Sequence, residues 1–125
     1  MKRSTFVEIK ITNMLKFTFL IRKTTGMSKE DFIDYHRNHH APLFMSILES
    51  KQYVKKYVVS HPKIIEGFPL PAYDGITDIY FASMNDFNSF FASENYKQKV
   101  HPDESNFIDL NDVVTLVSDE VVVVD

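Results

Sequence analysis

Three of the chain's five histidines, His36, His39 and His40, fall within the short segment DYHRNHHAP. On a helical wheel of about 100° per residue, Phe32, Leu43 and Ile47 share one arc with Tyr35, His36 and His39, and His40 stands at its edge. Glu30, Asp31, Asp34, Arg37 and Asn38 take the opposite side. The histidines therefore interrupt an apolar stripe. A buried imidazole needs partners for its ring nitrogens, and its proton affinity is tuned by burial and nearby charge. Three uses fit this pattern. Such residues can be core or capping histidines bonded to backbone or tyrosine. His36 and His40 have the i, i+4 spacing of helical zinc ligands, with His61, His101 or a carboxylate as a third ligand. Against that use, Pro42 distorts the helix near the pair, and no glutamate lies between the two as a metalloprotease motif requires. Lastly, one histidine can line a pocket and move a proton for an apolar, aromatic substrate. His40, at the helix end before Pro42, has its charged form favoured by the helix dipole.

A second residue is out of place. Asp78 sits inside the apolar run ITDIYFA, where an unpaired charge costs several kcal/mol, of the order of 2–7. Either it faces the histidine pocket and orients a ring, or it points outward from a partly wet edge.

The elements that position these residues can be read from periodicity. LKFTFLIR alternates as a strand, with Leu15, Phe17, Phe19 and Ile21 on one face. After the TTG turn, Ser28 is an N-cap with Asp31 at the third helical position, and Met27 and Phe32 stand where a hydrophobic staple closes. The helix is expected to run to His40, break or kink at Pro42, and resume to about Ser50. A strand follows at 53–60, then a Pro- and Gly-punctuated loop at 61–75, then a strand at 76–82. Ser83 caps a helix carrying Phe87, Phe90 and Phe91. The polar segment 94–110 reads as short helical turns, with Asp103 and Asp109 as caps. VVTLVSDEVVVV closes the chain as one or two strands. The order predicts an α+β, ferredoxin-like βαββαβ unit with a four-stranded antiparallel sheet.

Two helices cover one sheet face only, yet Ile76, Ile79, Tyr80, Phe81, Val113, Val114, Leu116 and Val117 are apolar on both. A homodimer with facing sheets is the economical way to bury the second face, and the Val121–Val124 run is a strand suited to pairing across it.

Composition narrows the function classes. The 125 residues suit one domain, and the absence of cysteine excludes thiolate nucleophiles and cysteine metal sites. A net charge of −3, with no basic stripe, disfavours nucleic acid and anionic membranes as partners. The alternating start lacks the apolar region of a secretory signal, so a soluble cytoplasmic protein is expected. The aromatic content is the anomaly, with 11 Phe and 6 Tyr and no Trp.

Taken in order, four segments resemble the EthD family of the dimeric alpha–beta barrel superfamily. They are MLKFTFLIRK from Met14, GMSKEDFIDYHRNHHAPL at 26–43, YDGITDIYF at 73–81 and DESNFID at 103–109. The second contains the family's His-Ala-Pro-Leu signature, and the third its Asp-Gly followed by an acidic strand residue. The resemblance covers residues 14–125 and leaves 1–13 as an N-terminal arm or extension.

The resemblance implies a ferredoxin-like protomer, a homodimer, and a pocket between helices and sheet. His40 matches the signature histidine and Asp78 the acidic strand position. His36 departs from the aromatic residue many relatives carry there, while the His39–His40 pair is similar to members attached to fungal aromatic polyketide pathways. The expected function is a small cofactor-independent enzyme acting on an aromatic or polyketide-like enolisable substrate. Decarboxylation, dehydration with cyclisation, and oxygenation are the reactions implied. His40 is the expected general base or acid and Asp78 its orienter, with His36, His39 and Tyr35 holding substrate oxygens. The alternative is a non-catalytic dimeric protein that binds an aromatic metabolite or supports an oxygenase.

Overall fold

The computed structural model describes residues 9–125. Most of the expected N-terminal arm, residues 1–8, lies outside the described residues, whereas Lys10–Asn13 already belong to the first strand. Four strands, β1 (Lys10–Ile21), β2 (Val54–Ser60), β3 (Gly75–Phe81) and β4 (Val114–Val122), form one antiparallel sheet in the order β2-β3-β1-β4. This is the ferredoxin-like arrangement that the element order predicts. The closing segment makes a single strand that ends at Val122, and Val121 and Val122, expected to pair across a dimer, pair with Ile11 and Lys10 of β1 within the protomer. Among the described residues no helix is long and apolar enough to cross a membrane.

Alternation sorts the sheet into two faces. Leu15, Phe17, Phe19 and Ile21 of β1 look toward the helices together with Ile79 and Phe81 of β3. Two apolar clusters grow from that face. One gathers Phe44, Ile47, Ile79, Phe81, Phe90 and Val100; the other gathers Ile21, Phe32, Phe107 and Ile108.

The helical layer begins as expected, with the Ser28 hydroxyl accepting from the Asp31 amide at the start of α1 (Lys29–Tyr35). Pro42, however, does not break the helix. The chain continues through a π-helical turn at His36–His40 into α2 (Ala41–Ser46), and the break falls at Ile47. Proline removes a donor and crowds the carbonyl four residues back. In the wider turn the Ala41 amide reaches back to the His36 carbonyl, which relieves that crowding. At the actual break the Ser50 hydroxyl donates to the freed Phe44 carbonyl before α3 (Leu48–Tyr53) leads into β2.

The second half repeats the device. Ser83 caps α4 (Met84–Ala92) through the Asp86 amide. A second π-helical turn, Tyr96–Val100, then precedes Pro102 in α5 (His101–Glu104). Each wide turn ends on a buried residue two positions before a proline: His40 in the first case, Val100 in the second.

Gly75 opens β3 where the first strand and first helix converge. A Cβ there would lie 3.1 Å from Phe32 Cζ and 3.2 Å from Ile21 Cγ1. The Gly75→Ala variant is therefore expected to lose about 1–3 kcal/mol through overpacking, read from urea midpoints. An unchanged midpoint would show that Phe32 yields freely.

Candidate functional site

Between the two apolar clusters the helices stand away from the sheet and enclose a cavity of about 310 Å³. Phe17, Phe19, Thr77 and Ile79 supply the sheet side, while His36, His40 and Phe44 descend from the first helix. Phe87, Phe91 and Phe107 complete an aromatic wall, and Tyr57, Tyr96, His101 and Glu104 add polar groups.

The π-helical turn decides which histidines enter. Its additional residue holds both His36 and His40 inward, at 1% and 7% exposure, while Arg37, Asn38 and His39 lie outside. A uniform helical wheel places His39 on the buried arc, but the real turn is wider. His39 is exposed, packs against Tyr35 with tilted rings 4.4 Å apart between centroids, and lies outside the cavity.

His40 Nδ1 is 2.9 Å from Asp103 Oδ2. The other carboxylate oxygen, Oδ1, accepts from the Tyr35 hydroxyl and, at 3.0 Å, from Asn106 Nδ2. Burial opposes the charge on Asp103, yet the hydrogen bonds from Tyr35, His40 and Asn106 together hold its carboxyl below the usual range. An ionised carboxylate only accepts, so Nδ1 of His40 carries the hydrogen in the neutral ring and Nε2 is a free base. Among the described residues Nε2 has no hydrogen-bond partner, and the ring rests on Phe107 at 4.8 Å.

His36 belongs to a different chain of bonds. Its Nδ1 is 2.9 Å from His61 Nε2 and its Nε2 is 3.1 Å from Thr77 Oγ1. Burial, then the neighbouring His61, His40 and Arg37, push its pKa down to about 3, so the ring is neutral at physiological pH. Both nitrogens are occupied within the protein, which leaves His36 none for the expected contact with a substrate oxygen. Beside this chain, Glu104 is buried and accepts from the Tyr96 hydroxyl at 2.7 Å, with His101 Nδ1 at 3.1 Å. Burial, then the charge of Glu104, push the Tyr57 and Tyr96 phenols up. Both therefore keep their protons.

Two more expected roles do not match this geometry. Asp78 does not orient His40. It pairs with Thr18 across the strands, accepts from the Thr18 hydroxyl at 2.6 Å and has Lys16 at 4.0 Å, all on the sheet face away from the helices. Alternation requires this, because Ile79 and Phe81 face the core and Asp78 is one residue out of phase with both. The carboxylate beside His40 is Asp103, expected only to cap a turn. Tyr35, expected to hold a substrate oxygen, lies outside the cavity lining and donates its hydroxyl to Asp103. As for a metal, the i, i+4 histidines turn their Nδ1 atoms to different partners, and among the described residues no group of three His, Asp or Glu side chains converges as a metal site requires.

Thr77, Tyr57 and Glu104 were not legible as site residues. The Asp103–Glu104 pair had its signal in the DESNFID segment at 103–109, which opens with these two carboxylates.

The EthD domain profile matches residues 24–111. No curated protein matches the chain. Among solved structures, an ethyl tert-butyl ether D (EthD) family protein from Bacillus halodurans is 18% identical with a TM-score of 0.64, over 86% of this chain and 98% of that one. An EthD-like protein from Ralstonia eutropha is also 18% identical, TM-score 0.63, over 84% and 89%. A protein from Bacteroides fragilis described as dimeric, ferredoxin-like and of unknown function is 10% identical, TM-score 0.63, over 89% and 100%. These likenesses carry the fold. The profile covers well over half of the chain, including both His40 and Asp103, and this protein is a member of the EthD family.

Proposed function

We propose that the cavity is the active site of a small enzyme in which His40 moves a proton on an aromatic or polyketide-like enolisable compound. The observation that carries this reading is the buried His40–Asp103 pair, with its Nε2 unpartnered among the described residues, in a largely apolar cavity. Asp103 fixes the tautomer that leaves Nε2 basic, and its charge stabilises the imidazolium formed on proton uptake. Apolar walls lower the local dielectric and so strengthen each polar contact beside them. A volume of about 310 Å³ suits a ligand of one or two fused rings. Decarboxylation, dehydration with cyclisation, and oxygenation share an enolate or phenolate that His40 would form or protonate. The neutral Tyr57 phenol, which has no hydrogen-bond partner among the described residues, is a donor for the developing oxyanion.

The test is α-hydrogen exchange. 1,3-Diketones and hydroxyacetophenones are incubated with the protein in D2O and followed by proton NMR. Exchange accelerated above buffer by at least tenfold for one class is expected. Tight binding of these compounds with no exchange would instead assign the chain to the carrier or accessory class.

The same reading makes the working unit a homodimer. Among the described residues no helix covers the sheet face bearing Leu20, Val58, Ile76, Val114 and Leu116, and Leu116 is half exposed there. In loop 61–74, Ile64, Ile65, Phe68 and Leu70 are exposed as well. Light scattering is expected to return twice the mass of one chain, and a monomer at micromolar concentration would overturn this part.

A further inference from the structure

Four side chains run in series from the surface to the cavity. Arg37 Nε donates to His61 Nδ1 at 3.3 Å, His61 Nε2 lies 2.9 Å from His36 Nδ1, and His36 Nε2 lies 3.1 Å from Thr77 Oγ1. With both rings neutral, such a chain has two self-consistent directions. In one, Thr77 donates outward, which places a hydrogen on His61 Nδ1 facing the Arg37 N–H, two donors opposed. In the other, each group donates inward. Arginine has five donors and no acceptor, so only the inward direction is satisfied.

The direction has a consequence at the far end. Thr77 Oγ1 is then an acceptor from His36 and must place its own hydrogen elsewhere. Thr77 is buried, lines the cavity, and has no other hydrogen-bond partner among the described residues. His36 and His40 rest on the same Phe107 ring, at 5.5 Å and 4.8 Å, so the Thr77 hydroxyl and the His40 base serve one space. We infer that Thr77 is a donor of fixed direction to a ligand oxygen, its polarity imposed by Arg37 through His61 and His36. The site thereby selects ligands carrying a carbonyl or phenolate oxygen and disfavours those presenting only a donor. Under the acid–base reading, on which this rests for its chemistry, that oxygen belongs to the carbonyl whose enolate His40 generates. Arg37, His61 and His36 are positioning residues and touch no ligand.

Two readouts test this. Long-range proton–nitrogen NMR on uniformly labelled protein at pH 7.5 should show both His36 and His61 as Nε2–H tautomers, and Arg37→Leu should return a mixture. An Nδ1–H tautomer at His36 in the unaltered protein would overturn the inference whatever the protein catalyses. The second readout is binding of 2′-hydroxyacetophenone and of its deoxygenated analogue 2-ethylphenol, by calorimetry. Thr77→Val should weaken the ketone about tenfold and leave 2-ethylphenol within twofold, while Thr77→Ser restores the ketone. A ketone that binds all three proteins alike, or none of them, removes Thr77 as the ligand's donor. Absence of α-hydrogen exchange with the tautomers as stated would defeat the enzyme reading and leave the relay standing.

Discussion

Replacing Asp103 with asparagine is expected to lower turnover nearly as far as removing the His40 imidazole, on the order of 10²–10⁴-fold. Lost charge is only part of the reason. Oδ1 of Asp103 receives two donors, the Tyr35 hydroxyl and Asn106 Nδ2, so an introduced amide must keep its oxygen there. Its NH2 then falls opposite His40 Nδ1. That nitrogen becomes an acceptor, the hydrogen moves to Nε2, and the cavity faces a donor where it had a base. His40→Gln removes the base outright and sets the scale. Asp78→Asn is the discriminating companion, because Asp78 bonds to Thr18 on the other sheet face. It is expected to change turnover by less than about threefold, the size of a small packing effect. Single-turnover rates on whichever carbonyl class exchanges, with folding checked by circular dichroism, decide between the two carboxylates. Full activity in Asp103→Asn combined with loss in Asp78→Asn would reverse the assignment.

The second large effect is on stability against acid. In the unfolded chain His36 titrates near its ordinary 6.5, whereas in the folded protein burial holds it near 3. Between these values the unfolded state binds a proton that the folded state refuses, so stability rises with pH across that interval. The contribution is fully present above about pH 6.5. It declines by up to about 1.4 kcal/mol per pH unit below that and is exhausted near pH 3, a total of about 5 kcal/mol. His61, pushed down by burial and then by Arg37 and Lys29, acts in the same direction. Asp103 has a depressed value too, and its contribution is lost only as pH falls through the carboxylate range. A domain of this size has about 5–15 kcal/mol in total, so the roughly 3 kcal/mol withdrawn through His36 between pH 6.5 and pH 4 is a large part of it. Urea midpoints at pH 7, 6, 5 and 4 should fall steadily in the natural chain and less steeply in His36→Gln. Equal slopes in the two proteins would mean that His36 is protonated inside the fold.

The two effects test different histidines of one helical turn, and the distinction between them is structural. His36 and His40 have the same residue type, the same inward direction and the same aromatic neighbour, Phe107. What separates them is the partner. A carboxylate partner on Nδ1 leaves the Nε2 of His40 without a partner among the described residues, whereas His61 and Thr77 occupy both nitrogens of His36 and make it a neutral link in a hydrogen-bond chain.

Much of the architecture was legible because its causes are local. Alternation in LKFTFLIR, the serine caps at Ser28 and Ser83, and the phenylalanine spacing of Phe87, Phe90 and Phe91 depend on neighbours a few residues away. Those signals determine the strands, the helix starts and, through their order, the ferredoxin-like sheet. His40 stood out for the same reason, as an imidazole at the edge of an apolar arc. The carboxylate that serves it did not, since Asp103 is 63 residues away and reaches His40 only when α5 folds against the first helix. Asp78 resembled the better partner because a charge inside a strand is conspicuous in one dimension. Only sheet pairing decides which side of the strand it leaves by. The helical wheel failed at His39 because Pro42 is accommodated by widening the turn, and a wheel assumes constant pitch. Chain composition thus determined which elements form and which residue types could do chemistry. Tertiary structure alone decided which nitrogen meets which oxygen, because that pairing depends on contacts between distant segments and on the exclusion of water around them.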